Sequence, residues 1–509
     1  MRIDTIRIDH DTESPLYLKL ADALRRAIRS GEARVGERLP SVRRLSDAAG
    51  VNPATAVAAY RILEREGWVA ARAGSGVYVR DDGSGGTADA GRGEEPGRGR
   101  SREAGEAADL ADLAAGRVLV GEGVLDLAAG APSPALFPAA EFKSLVNEVL
   151  DRDGGWAFGY QESAGWAPFR GALAEYLFSA HGVRAELDDI RVVSGAQQGI
   201  DLAAKALLGP RDAAVVEEPT YRGALAVFWS RGAETLGVRV DRDGMDLDAL
   251  ERVLRERSPR LVYAIPRYQN PTTISWSEDR MRGLLSLARK YDFYVLEDDL
   301  LSDLSYGLRR EPTCVKAIDA EDRVIYVRSF SKVLMPGLRL GVLVTPRRLR
   351  DRFEAAKRAT DIATDGLVQR ALELYLRRGL HADRLAFLRR HYGAVYAAAT
   401  DAADRLLPPL GASFDRPDGG LHLWVRLAGV TGTALRAAAL ARGAALVPEA
   451  VYGSGESERR GEGVADAHVR LSFASLTAED AARGIGIVAA ALADLRSADR
   501  LPRAVRTLL

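Results

Sequence analysis

The hydrophobic period changes along the chain, and the changes mark its organisation. Between residues 14 and 80 apolar positions recur at helical spacing in three short runs. Leu16, Leu20, Ala23, Leu24, Ala27 and Ile28 form the first, with Ser14 able to cap it and Pro15 able to open it before the stop at Gly31. Ser41 to Ala49 form the second, ended by Gly50. The third is capped by Asn52, opened by Pro53 and runs through Tyr60 and Leu63 to Glu66 and Gly67. Trp68 to Ala71 and Val77 to Val79, joined by a turn through Arg72 to Gly76, read as a hairpin. From Asp81 to about Ala108 almost nothing can be buried, and Gly, Arg, Glu, Asp, Ala and Ser dominate, so this stretch reads as a disordered linker. At about 5–6 Å × √n, roughly 28 such residues reach about 30 Å. From about 110 onward short apolar runs alternate with amphipathic ones: Ile190 to Val193, Gln197 to Leu208, Ala213 to Val216, Leu261 to Ile265, Phe293 to Leu296, Val324 to Val327 and Gly341 to Val344. This alternation predicts an α/β domain with a mostly parallel sheet covered by helices, whose ligands collect where strands end.

Charge adds an asymmetry that composition hides. The 509 residues carry 71 Lys and Arg against 71 Asp and Glu, yet residues 19 to 80 hold 12 against 6, a net of +6 that leaves −6 elsewhere. Two short helices about a glycine turn and then a hairpin make a winged helix-turn-helix, and its basic character points to double-stranded DNA. Phosphate neutralisation is expected of Arg43, Arg44, Arg61 and Arg72, and base reading of Asn52, Ala54 and Thr55 at the exposed start of the third helix. The alternative is a three-helix packing module with a solvated basic face. The order Leu16-Tyr17, GERLPSVRR at 36 to 44, VNPATAVAAY at 51 to 60 and GSGVYV at 74 to 79 resembles the GntR-type winged helix.

A single cysteine, Cys314, rules out a disulfide scaffold, and the charged N-terminus without an apolar core segment, together with the lack of any long apolar run, predicts an unprocessed cytoplasmic protein. The six histidines show no metal spacing, and His422 reads as a packed strand residue. Only seven of the 71 basic residues are Lys, at 19, 143, 205, 290, 316, 332 and 357, so a Lys inside a motif draws notice.

Polar groups gather after the predicted strands. Ser194-Gly195-Ala196-Gln197 opens a helix and can hold an anion, Tyr268-Gln269-Asn270-Pro271 follows the next run, and Glu297-Asp298-Asp299 sets carboxylates where a lone charge is costly. Ser329-Phe330-Ser331-Lys332 comes last, with Arg339 beyond it. Each alone reads as structural. Together they supply a phosphate nest, hydroxyls and a guanidinium for a dianion, a carboxylate for a ring nitrogen, an amide for a phenolic oxygen and an amine able to form a Schiff base, which is the inventory for pyridoxal 5′-phosphate (PLP).

From about residue 125 onward the chain resembles the fold type I aminotransferases, through Gly130-Ala131-Pro132, Leu136-Phe137-Pro138, Tyr160 to Gly165, SGAQQ at 194 to 198, Glu218-Pro219-Thr220-Tyr221, YQNP, EDD, SFSK and Arg470 in Val469 to Ala474. With the GntR-type head, the whole chain resembles the MocR subfamily of transcriptional regulators. The resemblance implies a Schiff base between Lys332 and PLP, Asp298 paired with the ring nitrogen, Asn270 on the phenolic oxygen and Tyr221 stacked on the ring. It also implies a phosphate held by Gly195, Ala196, Gln197, Ser329, Ser331 and Arg339, with Tyr160 arriving from the second subunit of a homodimer, and a carboxylate clamp at Arg470. The expected domains are 1–80 for the winged helix, 81–108 for the linker and 109–509 for the PLP-binding domain, with a large subdomain at about 150–375 and a small one at about 109–149 and 376–509. The implied function is a PLP-dependent regulator that senses an amine or amino acid. The alternative is an active aminotransferase carrying a DNA-binding head. One departure bears on that choice: the family usually has a Tyr shortly after the paired Asp, where this chain reads Leu300-Leu301, which weakens proton shuttling unless Tyr268 or Tyr306 substitutes.

Overall fold

The structure is a computed structural model that describes residues 16–29, 32–33, 36–52, 55–56, 59–60, 62–63, 68–72, 76–79, 121, 123–306, 313–455 and 465–499. The chain divides into two compact units, Met1–Pro96 and Gly97–Leu509. The expected linker at 81–108, the ends of the third N-terminal helix, Ala54, Arg61 and the side chains of Arg43 and Arg72 lie outside the described residues.

In the first unit, helices span Leu16–Arg29 and Val42–Ala49. The second starts where Ser41 Oγ accepts the Arg44 N–H and stops at Gly50, whose φ of 64° is the left-handed conformation that closes a helix. Helical backbone follows at 55–56, 59–60 and 62–63. The antiparallel strands β1 (Val69–Arg72) and β2 (Gly76–Val79) pair Val69 with Val79, and Arg38 makes a further antiparallel bridge to Tyr78 of β2. Leu20, Leu24, Leu45, Ala56, Leu63 and Val69 are fully buried between helices and wing, which is the stripe the helical period predicts. Tyr60 spans the core to donate to Pro40 O at 2.6 Å.

In the second unit β3 (Leu125–Asp126) leads into helices Ala139–Asp153 and Ala167–His181. The main sheet then comprises β4 (Ile190–Val193), β5 (Ala213–Glu218), β6 (Glu234–Asp241), β7 (Gly244–Met245), β8 (Leu261–Ala264), β9 (Tyr294–Asp299), β10 (Val324–Ser329) and β11 (Gly341–Val344), in the order β4-β11-β10-β9-β8-β5-β6-β7. The runs β10-β9, β9-β8, β8-β5 and β5-β6 are parallel, whereas β11 runs antiparallel to both its neighbours. β5, β8 and β10 are buried almost throughout, which is why they appear in the sequence as continuous apolar runs without alternation. One face of the sheet packs on helices Ala196–Leu207, Arg222–Ser230 and Arg350–Asp361 through Ile200, Phe228 and Phe353. The other packs on Leu247–Glu256 and Glu278–Tyr291 through Leu250, Leu254 and Leu284. Gly199 lets the first of these helices lie flat on β10, because a Cβ there would meet Val327 Cγ2 at 2.4 Å. Helix Leu380–Leu406 leads to an antiparallel sheet of β12 (Ala412–Phe414), β13 (His422–Leu427), β15 (Val447–Pro448) and β16 (His468–Ser472), backed by helix Ala478–Asp499. β14 (Ala444–Ala445) pairs parallel with β3. No helix among the described residues is long and apolar enough to cross a membrane.

Candidate functional site

Strand alternation decides which of the clustered polar residues share a site. The expected strand at Phe293 to Leu296 extends to Asp299, so the three carboxylates lie inside β9 rather than beyond it. Successive side chains therefore face opposite sides of the sheet. Asp298 faces the same side as Leu296 and as Tyr263 of β8, and Ser329 at the end of β10 joins them, while Glu297, Asp299 and Arg328 face away. Glu297 accepts the N–H groups of Val315 at 3.0 Å and Lys316 at 2.8 Å, and burial raises its pKa to about 7. Burial also works against ionised Asp299, but the guanidiniums of Arg267 and Arg328 hold it well below the usual carboxylate range; Tyr326 and Ser302 donate to the same oxygen, Oδ2, and Oδ1 stays buried without a hydrogen-bond partner. These two carboxylates are structural.

Asp298 differs from them in facing the cavity and in having no guanidinium bound to it. It is 3% exposed, its Oδ2 accepts from Tyr263 at 2.8 Å, and its Oδ1 is buried with no partner. Burial lifts its pKa to about 7 against the Tyr263 hydrogen bond, which lowers it. It lines a cavity of about 700 Å³ together with Ala196, Gln197, Tyr221, Asn270, Ser329, Ser331, Lys332, Arg339 and Arg470, so ten residues singled out in the sequence meet in one place. The Lys332 amine donates to Gly130 O, and desolvation, reinforced by the Arg470 guanidinium, draws its pKa down to about 8. Ser329 Oγ donates to Ser331 Oγ at 2.8 Å and accepts the Ser331 N–H at 3.1 Å. Arg339 donates to Ser194 O at 2.8 Å. Gly195 takes φ +81°, and a Cβ on it would meet the Arg339 guanidinium at 2.8 Å, so this turn requires glycine. Tyr221 donates to Gln197 Oε1 at 3.3 Å, and Arg470 donates to Asn270 Oδ1 at 3.0 Å and to Ala128 O at 2.7 Å.

Several expectations need correction or addition. Neither Tyr268 nor Tyr306 lines the cavity: Tyr306 is stacked on Tyr396 with centroids 4.9 Å apart and donates to Gly420 O, so neither ring takes the place that Leu300 leaves. His422 does line the cavity while being buried in β13, and burial pushes its pKa down to about 3, leaving it neutral. Tyr160 is 93% exposed and does not line the cavity of its own chain. Sequence reasoning missed Tyr263 and Tyr452 and gave Gly130, quoted there only as part of a motif, no role; the signal for Tyr263 lies only in the β8–β9 register, which sequence does not display. In the first unit Arg44 is exposed on its helix, and Asn52 Oδ1 accepts both the N–H of Thr55 at 2.8 Å and its hydroxyl at 3.1 Å. Asn52 thus caps the third helix, and its side-chain oxygen is engaged by the protein. No group of three His, Cys, Asp or Glu among the described residues could hold a metal ion.

Comparison with known proteins agrees with this arrangement. Residues 122–488 match the family described as aminotransferase class I and II, and residues 16–79 match the bacterial regulatory proteins of the gntR family. The 2-aminoadipate transaminase of Thermus thermophilus is 34% identical over 73% of this chain and 91% of its own length. The probable rhizopine catabolism regulatory protein MocR of Rhizobium meliloti is 30% identical over 82% of this chain and 83% of its own. The solved kynurenine aminotransferase of Pyrococcus horikoshii, in complex with PMP and substrates, superposes with a TM-score of 0.70 at 30% identity, over 77% of this chain and 94% of that one. The large unit, with its cavity at the ends of parallel strands, and the winged helix ahead of it place the chain in the class I and II aminotransferase family, as a MocR-type member of the GntR regulators.

Proposed function

We propose that the protein is a transcriptional regulator that binds double-stranded DNA through its winged helix and senses an amine or amino acid at a PLP site in its second unit, in the cytoplasm. The observation that carries this reading is the buried Asp298 carboxylate, with one oxygen unsatisfied, sharing a cavity with an amine of lowered pKa. A buried acceptor without a partner costs roughly 1–3 kcal/mol, and a protonated ring nitrogen would satisfy it. The donor set fits the rest of PLP: the Ala196 and Gln197 N–H groups, the Ser329 and Ser331 hydroxyls and Arg339 for the phosphate, and Tyr221 as the flat wall for the ring. When bound, the cofactor supplies an electrophilic aldehyde carbon on an electron-withdrawing ring. Lys332 offers the amine, Asp298 keeps a proton on the ring nitrogen, Asn270 offers its amide N–H₂ to the phenolic oxygen, and Arg470 offers a planar fork to an effector carboxylate.

The second reading, a working aminotransferase, rests on the same intact set of Lys332, Asp298, Asn270 and Arg470. Leu300 argues against efficient turnover, because no phenol stands in that position to move a proton. We also propose a homodimer in which Tyr160 completes the partner's phosphate site. Trp156, Phe158 and Tyr160 are 83%, 69% and 93% exposed within five residues, and a second copy would cover them. Trp156→Glu is expected to shift sedimentation toward monomer and to weaken PLP binding, whereas a wild-type monomer fully loaded with PLP refutes the dimer.

The DNA reading is tested by salt. Each phosphate neutralised contributes about −0.9 to the slope of log K against log[salt]. Arg44→Ala in both heads of a dimer is expected to flatten that slope by about 1.8 if each Arg44 meets one phosphate, and to weaken binding to all sequences alike. A slope unchanged by the substitution removes Arg44 from the interface.

A further inference from the structure

The turn that opens toward the phosphate position is tied to a buried lysine on a distant helix. Gln198 Oε1 accepts the Ser194 N–H at 2.7 Å, and Gln198 Nε2 donates to Asp361 Oδ2 at 2.8 Å. The other oxygen of Asp361 accepts from Lys357 Nζ at 2.6 Å, and the same amine donates to Thr364 Oγ1 at 2.9 Å. The Thr364 hydroxyl then donates to Val192 O at 3.1 Å, so the path leaves the end of β4 at Ser194 and returns to it two residues earlier. Lys357 is wholly buried, one of only seven lysines in a chain that otherwise uses arginine, and none of Gln198, Lys357, Asp361 and Thr364 lines the cavity.

The chemistry of the path gives it a direction. The Asp361 carboxylate accepts from the Gln198 amide nitrogen, which leaves the amide oxygen facing Ser194. Lys357 Nζ occupies the other Asp361 oxygen, so the carboxylate is held between the amine and the Gln198 amide. Arg339 holds the Ser194 carbonyl from the other side. Both polar groups of Ser194 are thus fixed by side chains, and the next N–H groups, on Ala196 and Gln197, are the first of the helix and have no intrahelical acceptor. Backbone strain marks the far end of the path. Directly after Asp361, Ile362 takes φ 62° and ψ −61°, and Ala363 N donates to Asp361 O at 2.6 Å, a γ-turn of the rare hand on an exposed β-branched residue. Such a conformation persists only where its surroundings over-determine it, and here both flanks, Asp361 and Thr364, are bound to Lys357.

We infer that Gln198, Asp361 and Lys357 are positioning residues that hold the Ser194–Gly195 turn in the form that receives the cofactor's phosphate. This deepens the PLP reading above and rests on it. The test compares PLP with pyridoxal, which lacks the phosphate, by fluorescence titration of the full-length wild type, Gln198→Leu and Asp361→Asn. An Asn at 361 presents an N–H₂ group that can turn the Gln198 amide over, and a Leu at 198 removes the amide at a half-buried helical position without opening the core. Loss of one such hydrogen bond to the phosphate turn predicts a Kd for PLP raised about tenfold in both variants. The Kd for pyridoxal should stay within about twofold of wild type on the same reasoning, because its contacts lie elsewhere. What pyridoxal loses to its own ring chemistry cancels between variant and wild type. Equal weakening for both ligands would show a merely structural role and overturn the inference, as would unchanged PLP affinity in both variants. A wild type that binds PLP no better than pyridoxal would refute the parent reading, and the inference with it.

Discussion

Lys332→Ala is expected to leave the protein colourless after incubation with PLP, whereas the wild type turns yellow. Among the described residues no other lysine lines the cavity, so no second amine is placed to take over. The nucleophile is the neutral amine, and the pKa of Lys332, drawn to about 8, decides how much of it exists. A lysine at its ordinary pKa is about 0.04% neutral at pH 7, whereas one at 8 is about 9% neutral, a gain of more than two orders of magnitude. The sign follows: raising the pH through 8 deprotonates Lys332, so the rate at which the apo-protein takes up PLP should climb and then level off above about 9. Arg470 supports the shift by its charge and Asp298 opposes it. Arg470→Ala should therefore move the midpoint of the rate profile upward. Stopped-flow absorbance on the wild type and the two variants measures both effects. Colour retained by Lys332→Ala, or a rate independent of pH between 6 and 10, would contradict the assignment.

How far the site could be read in the sequence depended on how local each signal is. The buried strands announced themselves because a strand covered on both faces is apolar throughout, and the motifs that follow them fall next to one another once parallel strands align their ends. Strand ends were harder to place. Glu297, Asp298 and Asp299 are polar, so the apolar run stops at Leu296 while the strand continues, and only continued alternation separates the one cavity carboxylate from the two structural ones. Nothing in the sequence states that β11 enters antiparallel between β4 and β10, since order in a sheet is a matter of long-range pairing. The same holds for Tyr263 on Asp298 and for Gly130 O on Lys332, partners 35 and 202 residues apart. Tyr306 was nearer in sequence to the missing phenol, but it spends its ring on Tyr396 and its hydroxyl on Gly420. Asn52 carried two legible roles, helix cap and base reader, and the structure shows its oxygen committed to the first.

Arg470→Ala is expected to abolish the response of DNA binding to any amino-acid effector. The Arg470 guanidinium donates to two neutral acceptors, Asn270 Oδ1 and Ala128 O, its Nε is buried without a partner, and its carbon lies 5.6 Å from the centre of the Tyr452 ring. A carboxylate offered to this fork replaces neutral acceptors by a charged one, and hydrogen bonds to charged groups are worth roughly 1.5–3 kcal/mol each. Removing the fork and both of its bonds should cost the ligand about a hundredfold to ten-thousandfold in affinity. Arg470→Lys should not restore it, because a point charge cannot make two parallel bonds. An effector can shift DNA affinity only by its differential affinity for the two states of the protein, and couplings of this kind run at about 5–150-fold. The expected outcome for a regulator is a shift of that size on adding the right amino acid, lost in Arg470→Ala, with at most slow conversion to the keto acid because Leu300 provides no phenol. The decarboxylated amine of the same side chain serves as the control: it should bind wild type and Arg470→Ala alike. Operator titrations with and without effector, paired with a keto-acid assay on the same samples, separate the two readings. Rapid multiple turnover at unchanged DNA affinity would establish the enzyme and remove the sensor. A shifted operator affinity that survives Arg470→Ala would place the effector's carboxylate, and the specificity that depends on it, somewhere other than this cavity.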